Sequence, residues 1–186
     1  MTPEELAEFA KRCQDGERAA FETVFTETVG WVHAIVAGIV VDEELSRECV
    51  QDIYLIVWSK IRFLRDPMTF AAWLKRIAVN RALRCAEQQK RRRSHTTSKP
   101  VEEALQSVAS ASASPAGEVS CRDILMRALA ALNPKERSVL TVRELEGASY
   151  EELARLFVVP VGTIRSRLNS ARKKVLSYFK DEEKQA

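Results

Sequence analysis

The sequence is poor in the residues that build most catalytic and metal sites. Its six glycines form no phosphate-binding loop, and its two histidines lie far from any cysteine. The cysteines at positions 13, 49, 85 and 121 include no Cys-x-x-Cys pair, which zinc sites commonly use. We therefore expect no cofactor, no metal and no enzymatic activity, and we interpret the cysteines as reduced structural thiols.

A long apolar run and a strong net charge are also missing. The stretch from Ile35 to Val41 is too short to cross a bilayer, and the N-terminus is acidic where a signal peptide would be basic. We expect a cytoplasmic protein without membrane insertion. A net charge of +3 is too small to indicate nucleic-acid binding, so the position of the charges matters more than their sum.

No long stretch alternates apolar and polar residues, which predicts an all-α fold. Residues 94–120 are rich in Ser, Ala, Thr and Pro and cannot bury enough surface to offset chain entropy. This composition predicts a flexible linker. It would join two small helical domains, residues 1–93 and residues 121–186.

The segment from Gly162 to Lys174 predicts a basic amphipathic helix. Its apolar stripe comprises Ile164, Leu168, Ala171 and Val175. Side chains able to read base edges would point outward together: Arg165, Ser166, Asn169, Ser170 and Lys173. Capping boxes at Ser149–Glu152 and Asn133–Glu136 predict two preceding helices, the earlier one ending at Gly147. A short helix, a tight turn and a basic helix make a helix-turn-helix.

A helix from about Glu43 to Arg62 has an interrupted polar face. Leu55 and Trp58 stand among the polar residues Glu48, Gln51 and Asp52. An apolar anchor ringed by polar groups is typical of a protein-docking surface. We favour docking for Leu55, whereas Trp58 is equally consistent with docking and with cover by a neighbouring helix.

The next predicted helix, from about Thr69 to Arg93, is strongly basic in its second half and has Phe70 and Trp73 near its start. Basic residues beside aromatics suit single-stranded nucleic acid. Phe70 is expected in the core, Trp73 is compatible with either role, and Asn80 lies off the apolar stripe, where it could bond a base.

Several segments together resemble the group IV, or extracytoplasmic function, sigma factors of bacterial RNA polymerase. The similar segments read DGERAAF (15–21), VQDIYLIVW (50–58), FAAWLKRIAVN (70–80), LNPKER (132–137), EGASYEELA (146–154) and PVGTIRSRL (160–168). They span nearly the whole chain outside the linker.

The resemblance implies a role for each surface. The docking face would bind the β′ clamp helices of core RNA polymerase, with a further contact to the β flap, and an anti-sigma factor is an expected partner. The residues implied in core binding are Glu48, Gln51, Asp52, Leu55 and Trp58. Those implied at the −10 promoter element are Phe63, Met68, Thr69, Trp73, Arg76, Asn80 and Arg84. Those implied at the −35 element are Thr163, Arg165, Ser166, Arg167, Asn169, Ser170, Arg172 and Lys173. The linker would lie along the RNA path.

One residue departs from the family pattern. Val158 stands in the helix-turn-helix turn where these proteins commonly have glycine, and a β-branched residue tolerates positive φ poorly. Either the turn avoids that conformation or it is strained. Two other functions remain open: a stand-alone helix-turn-helix regulator that never joins polymerase, and a partner-binding scaffold with a degenerate helix-turn-helix.

Overall fold

The structure, a computed structural model, describes residues 1–96 and 121–183, and every regular element in these ranges is helical, as predicted. The first domain contains α1 (Pro3–Gln14), α2 (Arg18–Val40), α3 (Glu43–Lys60) and α4 (Phe70–Thr96). The second contains α5 (Cys121–Ala130), α6 (Pro134–Glu146), α7 (Tyr150–Phe157) and α8 (Val161–Glu183). Residues 97–120 of the predicted linker lie outside the described residues, whereas Ser94 to Thr96 continue α4.

Helix α2 forms the centre of the N-terminal domain and packs against α1, α3 and α4. At 23 residues it is long and apolar enough to span a bilayer, so the expectation of no such run is wrong by length and composition. The core helix of a water-soluble protein meets the same criterion. One side of α2 is buried among its neighbours; its buried residues are Ala20, Val24, Thr28, Val32, Ile35, Val36, Ile39 and Val40.

Helix α3 begins and ends close to the predicted positions. Asp42 caps its first turn by accepting a hydrogen bond from the Leu45 amide, 3.0 Å away. The predicted core stripe, from Cys49 through Ile53 to Val57, is buried. The helix ends at Lys60, and two 3-10 turns, Ile61–Phe63 and Pro67–Thr69, connect it to α4.

The C-terminal domain has the predicted caps. Capping boxes join Asn133 to Glu136 and Ser149 to Glu152, each with the side chains and backbone amides bonded reciprocally. Gly147 ends α6 with φ of 63°, a left-handed conformation that glycine adopts without a steric penalty. Packing under α8 follows the predicted stripe: Ile164, Leu168 and Ala171 are fully buried, and Val175 is partly buried.

Val158 occupies the left-handed region with φ of 53° and ψ of 52°, where it ends α7. Of the two alternatives for this turn, the structure has the strained one, because the Cβ of an L-residue crowds the backbone in this region. The side chain is 72% exposed, so packing contributes little to offset the strain. The turn keeps helix-turn-helix geometry at a cost to stability.

We expect Val158→Gly to stabilise the C-terminal domain by about 1 kcal/mol. This value is the backbone strain that glycine relieves, less the conformational entropy that glycine adds to the unfolded chain. Val158→Ala is the matched control, because it removes the exposed methyl groups but keeps the Cβ that causes the strain. Thermal unfolding should place the glycine variant above wild type and the alanine variant near it. Equal melting temperatures for the two variants would contradict a strained turn.

The two domains also pack against each other, which the sequence did not predict. Helix α6 lies against α2 and α4, and α5 approaches α2. The buried residues of both domains consequently form one continuous cluster.

Candidate functional site

The predicted docking face on α3 is open to solvent. Leu55 is 67% exposed and Trp58 is 41% exposed, although the edge of the Trp58 ring rests on Phe21 of α2 with 4.8 Å between centroids. A neighbouring helix thus supports Trp58 without covering it. The polar residues Glu48 and Gln51 are exposed beside them, so the expected combination of apolar anchor and polar surround is present.

A second aromatic pair on α2 extends this face. Phe25 is 40% exposed and packs edge-to-face on Tyr54 of α3, 4.7 Å between centroids. Phe21 and Phe25 are one turn apart on α2, as Tyr54 and Trp58 are on α3, so the two pairs interlock. Sequence reasoning missed Phe25; the available signal was its four-residue spacing from Phe21. We name Phe25, Leu55 and Trp58 the apolar docking face.

Asp52 differs from the other polar residues of this surface. Its carboxylate forms an ion pair with Arg81 of α4, and both side chains are partly exposed. The hydrogen bond to Asp52 raises the pKa of Arg81, while partial burial acts in the opposite direction. With Leu55, these two residues line a shallow depression between α3 and α4. Asp52 therefore holds α3 against α4 as well as bordering the docking face.

The two 3-10 turns that follow the C-terminal end of α3 present apolar side chains to solvent. Phe63 is 69% exposed and lies under the Arg62 guanidinium, 4.8 Å from the ring centroid, and Met68 is 55% exposed. Gln14 of α1 fixes the first turn by donating to the Ile61 and Leu64 carbonyls at 3.1 and 2.6 Å. A loop held in this way displays two apolar groups without burying them.

The second turn leads directly into α4. Thr69 is exposed, but its hydroxyl donates to the Asp66 carbonyl at 2.7 Å, which engages it within the turn. Phe70 is buried, as expected, and Trp73 is partly buried against it with 5.9 Å between ring centroids.

Beyond Trp73, one side of α4 carries exposed polar groups at helical spacing. Arg76, Asn80 and Arg84 follow one another at intervals of four residues, and all three are exposed. Two cations with an amide between them can contact a backbone and a base together. The arrangement forms a basic stripe that starts at the aromatic pair.

The exposed face of α8 has most of the predicted members. Arg165, Ser166, Asn169 and Lys173 are all exposed, while Thr163 and Arg167 are partly buried. Arg165 belongs to the second turn of the helix, close to the end that recognition helices usually direct into the major groove. We name Arg165, Ser166, Asn169 and Lys173 the outer face of α8.

Ser170 does not belong to that face. Its hydroxyl donates to Glu136 Oε1 on α6 at 2.6 Å, so the expectation that it points outward is wrong. At 3.6 residues per turn Ser170 lies on the flank of α8, in line with Arg167 and Lys174, and this flank turns toward α6. Outward orientation was inferred from its position outside the apolar stripe, which does not separate a flank from the outer face.

Carboxylates of α6 also hold Lys174 on this flank and Arg172 on the other flank of α8. Lys174 donates to Glu136 at 2.7 Å, and Arg172 donates to Glu144 at 3.0 Å. Burial alone would raise the pKa of Glu136, but the hydrogen bonds from Lys174 and Ser170 dominate and lower it. Arg172 and Lys174 are therefore engaged with α6, whereas Arg165 and Lys173 project into solvent.

Comparison with known proteins identifies the family of this chain. The Sigma-70 region 2 family matches residues 24–93, and the Sigma-70 region 4 family matches residues 122–175. The ECF RNA polymerase sigma-E factor of Escherichia coli K12 is 30% identical over 172 residues, covering 89% of each chain. The chain belongs to the extracytoplasmic function sigma factors.

A more distant relative belongs to RNA polymerase sigma factors, and two solved structures share the fold. The RNA polymerase sigma-H factor of Pseudomonas aeruginosa is 26% identical over 94% of each chain. CnrH, solved in complex with the cytosolic domain of CnrY, shares the fold with a TM-score of 0.65 at 19% identity, covering 95% of this chain and 97% of its own. RpoE of Bartonella quintana, solved with the anti-sigma factor NepR, has a TM-score of 0.63 at 23% identity, covering 86% and 96%.

As a sigma factor, the protein binds core RNA polymerase and directs it to promoters. The alternative interpretation, a stand-alone helix-turn-helix regulator, is therefore rejected. The region 2 match spans the apolar docking face and the basic stripe of α4. The region 4 match spans the helix-turn-helix and nearly all of its flank contacts with α6. The region 2 match therefore contains two of the exposed surfaces described above, and the region 4 match contains the third, the outer face of α8.

Proposed function

We propose that three surfaces divide the work of this sigma factor. The apolar docking face, bordered by Glu48, Gln51 and Asp52, binds the β′ clamp helices. Phe63, Met68 and the basic stripe of α4 capture the −10 element as the strands separate, with Thr69 and Trp73 at the start of the stripe. The outer face of α8 reads the −35 element, with Thr163 and Arg167 beside it.

The observation that carries this proposal is the exposure of the docking face. A buried core would not leave Leu55 at 67% exposure beside Trp58 at 41%, on a helix whose other side is fully packed. Large exposed apolar groups that are ringed by polar residues are typical of binding sites for another protein. A sigma factor must bind polymerase before it can read a promoter, so this face comes first in the sequence of events.

The remaining roles follow the family. We infer that the protein is cytoplasmic and has no catalytic activity of its own. The β flap would contact the C-terminal domain. An anti-sigma factor is an expected partner, because CnrH and RpoE were each solved with another protein, and NepR is described as an anti-sigma factor. Arg172 would contact DNA phosphates only after leaving Glu144.

Transcription with purified components tests the proposal. Pure protein is mixed with sigma-free core polymerase and genomic DNA, and the 5′ ends of the transcripts are sequenced. We expect starts at a limited set of positions that share two upstream elements about two helical turns apart. Core polymerase alone is the control for non-specific initiation. Identical start sites with and without the protein would contradict the proposal.

A further inference from the structure

Side chains of the C-terminal domain close the last turn of α2. The final carbonyls of a helix have no partner within it, and in α2 these include the carbonyls of Gly38 and Ile39. Arg137 Nε donates to the Ile39 carbonyl at 2.6 Å, and Thr141 Oγ1 donates to the Gly38 carbonyl at 3.1 Å. Arg137 and Thr141 are one turn apart on α6. One face of α6 therefore caps the end of α2 from the other domain.

Arg137 is buried in this contact, with 6% of its surface exposed. It also donates to the Leu129 carbonyl at 3.2 Å, and no carboxylate of residues 1–94 or 121–180 forms an ion pair with it. The negative end of the α2 dipole takes the place of a counterion. Burial, with the nearby Arg93 adding to it, lowers the pKa of Arg137 to about 10, so the side chain stays charged at neutral pH.

A close approach and an ion pair complete the contact. A Cβ on Gly38 would lie 2.6 Å from Thr141 Cγ2, so an alanine here would displace the Thr141 side chain from its present contact. At the other end of α6, Glu146 pairs with Lys75 of α4. Helix α6 is thus fixed to the N-terminal domain near both of its ends.

The interactions that close the domains can also be exchanged for water. Opening replaces two hydrogen bonds to carbonyls with hydrogen bonds to water, an exchange whose net free energy is small for each bond. It also hydrates the buried Arg137 guanidinium, which lies near the positive charge of Arg93. These polar bonds therefore give the contact its geometry, and the apolar side chains buried with them add to its strength.

Closure limits how far apart the two DNA-reading surfaces can lie. A compact chain of this length has a radius of gyration of roughly 16 Å, and therefore a diameter of about 40 Å. Two promoter elements two helical turns apart need roughly 70 Å between their readers. The closed form can present the basic stripe of α4 or the outer face of α8 to DNA, but it cannot place both on their elements.

We propose that the contact of Arg137 and Thr141 with the end of α2 is an autoinhibitory latch. It keeps the two domains together in the free protein, and it must open before the sigma factor spans both promoter elements. This inference rests on the proposed function for the use of two elements. In the proposed function, core polymerase binds the exposed apolar docking face and also contacts the C-terminal domain through the β flap. Making both contacts with the domains spaced for two promoter elements requires the open form, so the apparent affinity is reduced in proportion to the fraction of protein that is open.

Two glycines of α2 provide a matched pair of variants in the full chain. Gly38→Ala inserts a methyl group into the latch, whereas Gly30→Ala adds the same group where nothing lies within 4 Å. Alanine favours helix over glycine, so neither change weakens α2 itself. Small-angle scattering should give a radius of gyration near that of wild type for Gly30→Ala and a radius several ångströms larger for Gly38→Ala.

Binding and a charge swap provide independent readouts. Gly38→Ala should raise the apparent affinity for core polymerase several-fold, while binding to a duplex with only a −35 element should be unchanged, because the outer face of α8 is already exposed. Lys75→Glu should open the protein as well, by placing a carboxylate against Glu146. The double variant Lys75→Glu, Glu146→Lys restores the ion pair and should return the radius to the wild-type value.

The results separate the latch from the function on which it rests. A wild-type radius and wild-type affinity in Gly38→Ala overturn the latch, even if the protein directs promoter-specific transcription. Failure of the double swap to reclose a protein opened by Lys75→Glu overturns the role of the ion pair. No core binding by wild type or Gly38→Ala overturns the proposed function, and the radius measurements do not depend on that result.

Discussion

Leu55→Asp should weaken binding to core polymerase by about 1–4 kcal/mol, the usual cost of removing a central anchor from an interface. This corresponds to roughly fivefold to several-hundredfold in Kd. Leu55 is 67% exposed in the free protein, so an aspartate there stays hydrated and the fold keeps its stability. In the complex the same carboxylate would be buried in an apolar contact without a partner.

Competition binding to core polymerase and thermal unfolding measure the two effects separately. Leu125→Asp is the matched control for the apolar docking face, because Leu125 is 47% exposed on α5 of the other domain, away from that face. Trp58→Ala should also weaken binding, but it removes the edge contact with Phe21 and should lower stability by about 0.5–1.5 kcal/mol. Wild-type affinity in Leu55→Asp would remove the apolar docking face from the proposal.

Helical periodicity was sufficient to predict which side of each helix is buried. The stripes Cys49–Val57 and Ile164–Ala171 follow from a 3.6-residue repeat, and they leave Leu55 and Arg165 outside. Capping residues located the helix ends for a similar reason, since an N-cap acts on amides only two or three residues away. Both signals are local, so one sequence contains them completely.

Contacts between helices that are distant in sequence could not be predicted in the same way. Whether Ser170 faces solvent depends on Glu136, a residue 34 positions away on α6. The exposure of Phe25 depends on where Tyr54 lies. Periodicity shows that a residue is on a flank or a face but does not identify the helix beside it. Polar residues on flanks are the positions where such predictions fail.

The domain contact is the largest feature that the sequence analysis missed. Arg137 matched a family segment and Gly38 lay in an apolar run, and neither pattern indicates a partner about a hundred residues away. The composition of residues 94–120 predicted a linker between two domains, but the length of a linker limits only how far apart two domains can lie. Whether domains touch depends on surface complementarity, here a glycine opposite a threonine and carbonyls opposite a guanidinium.

Lys173→Ala and Arg165→Ala should have different effects on DNA binding, although both remove one cation from the outer face of α8. Lys173 lies two turns beyond Arg165, away from the end of the helix that enters the groove. If it contacts a phosphate, its loss should weaken binding to every sequence and lower the salt slope by about one. It therefore serves as the matched control for a base-reading role at Arg165.

Arg165→Ala should instead cost about 1–3 kcal/mol at a single base pair of the −35 element, because a bidentate pair with guanine is lost there and nowhere else. Affinities for a set of duplexes with each base pair varied in turn measure this directly. In the variant, the preference at one position should disappear while the preferences at the others persist. A uniform loss across all duplexes, like that expected for Lys173→Ala, would make Arg165 a phosphate contact. Base reading would then rest on Ser166 and Asn169, since Glu136 already holds the Ser170 hydroxyl.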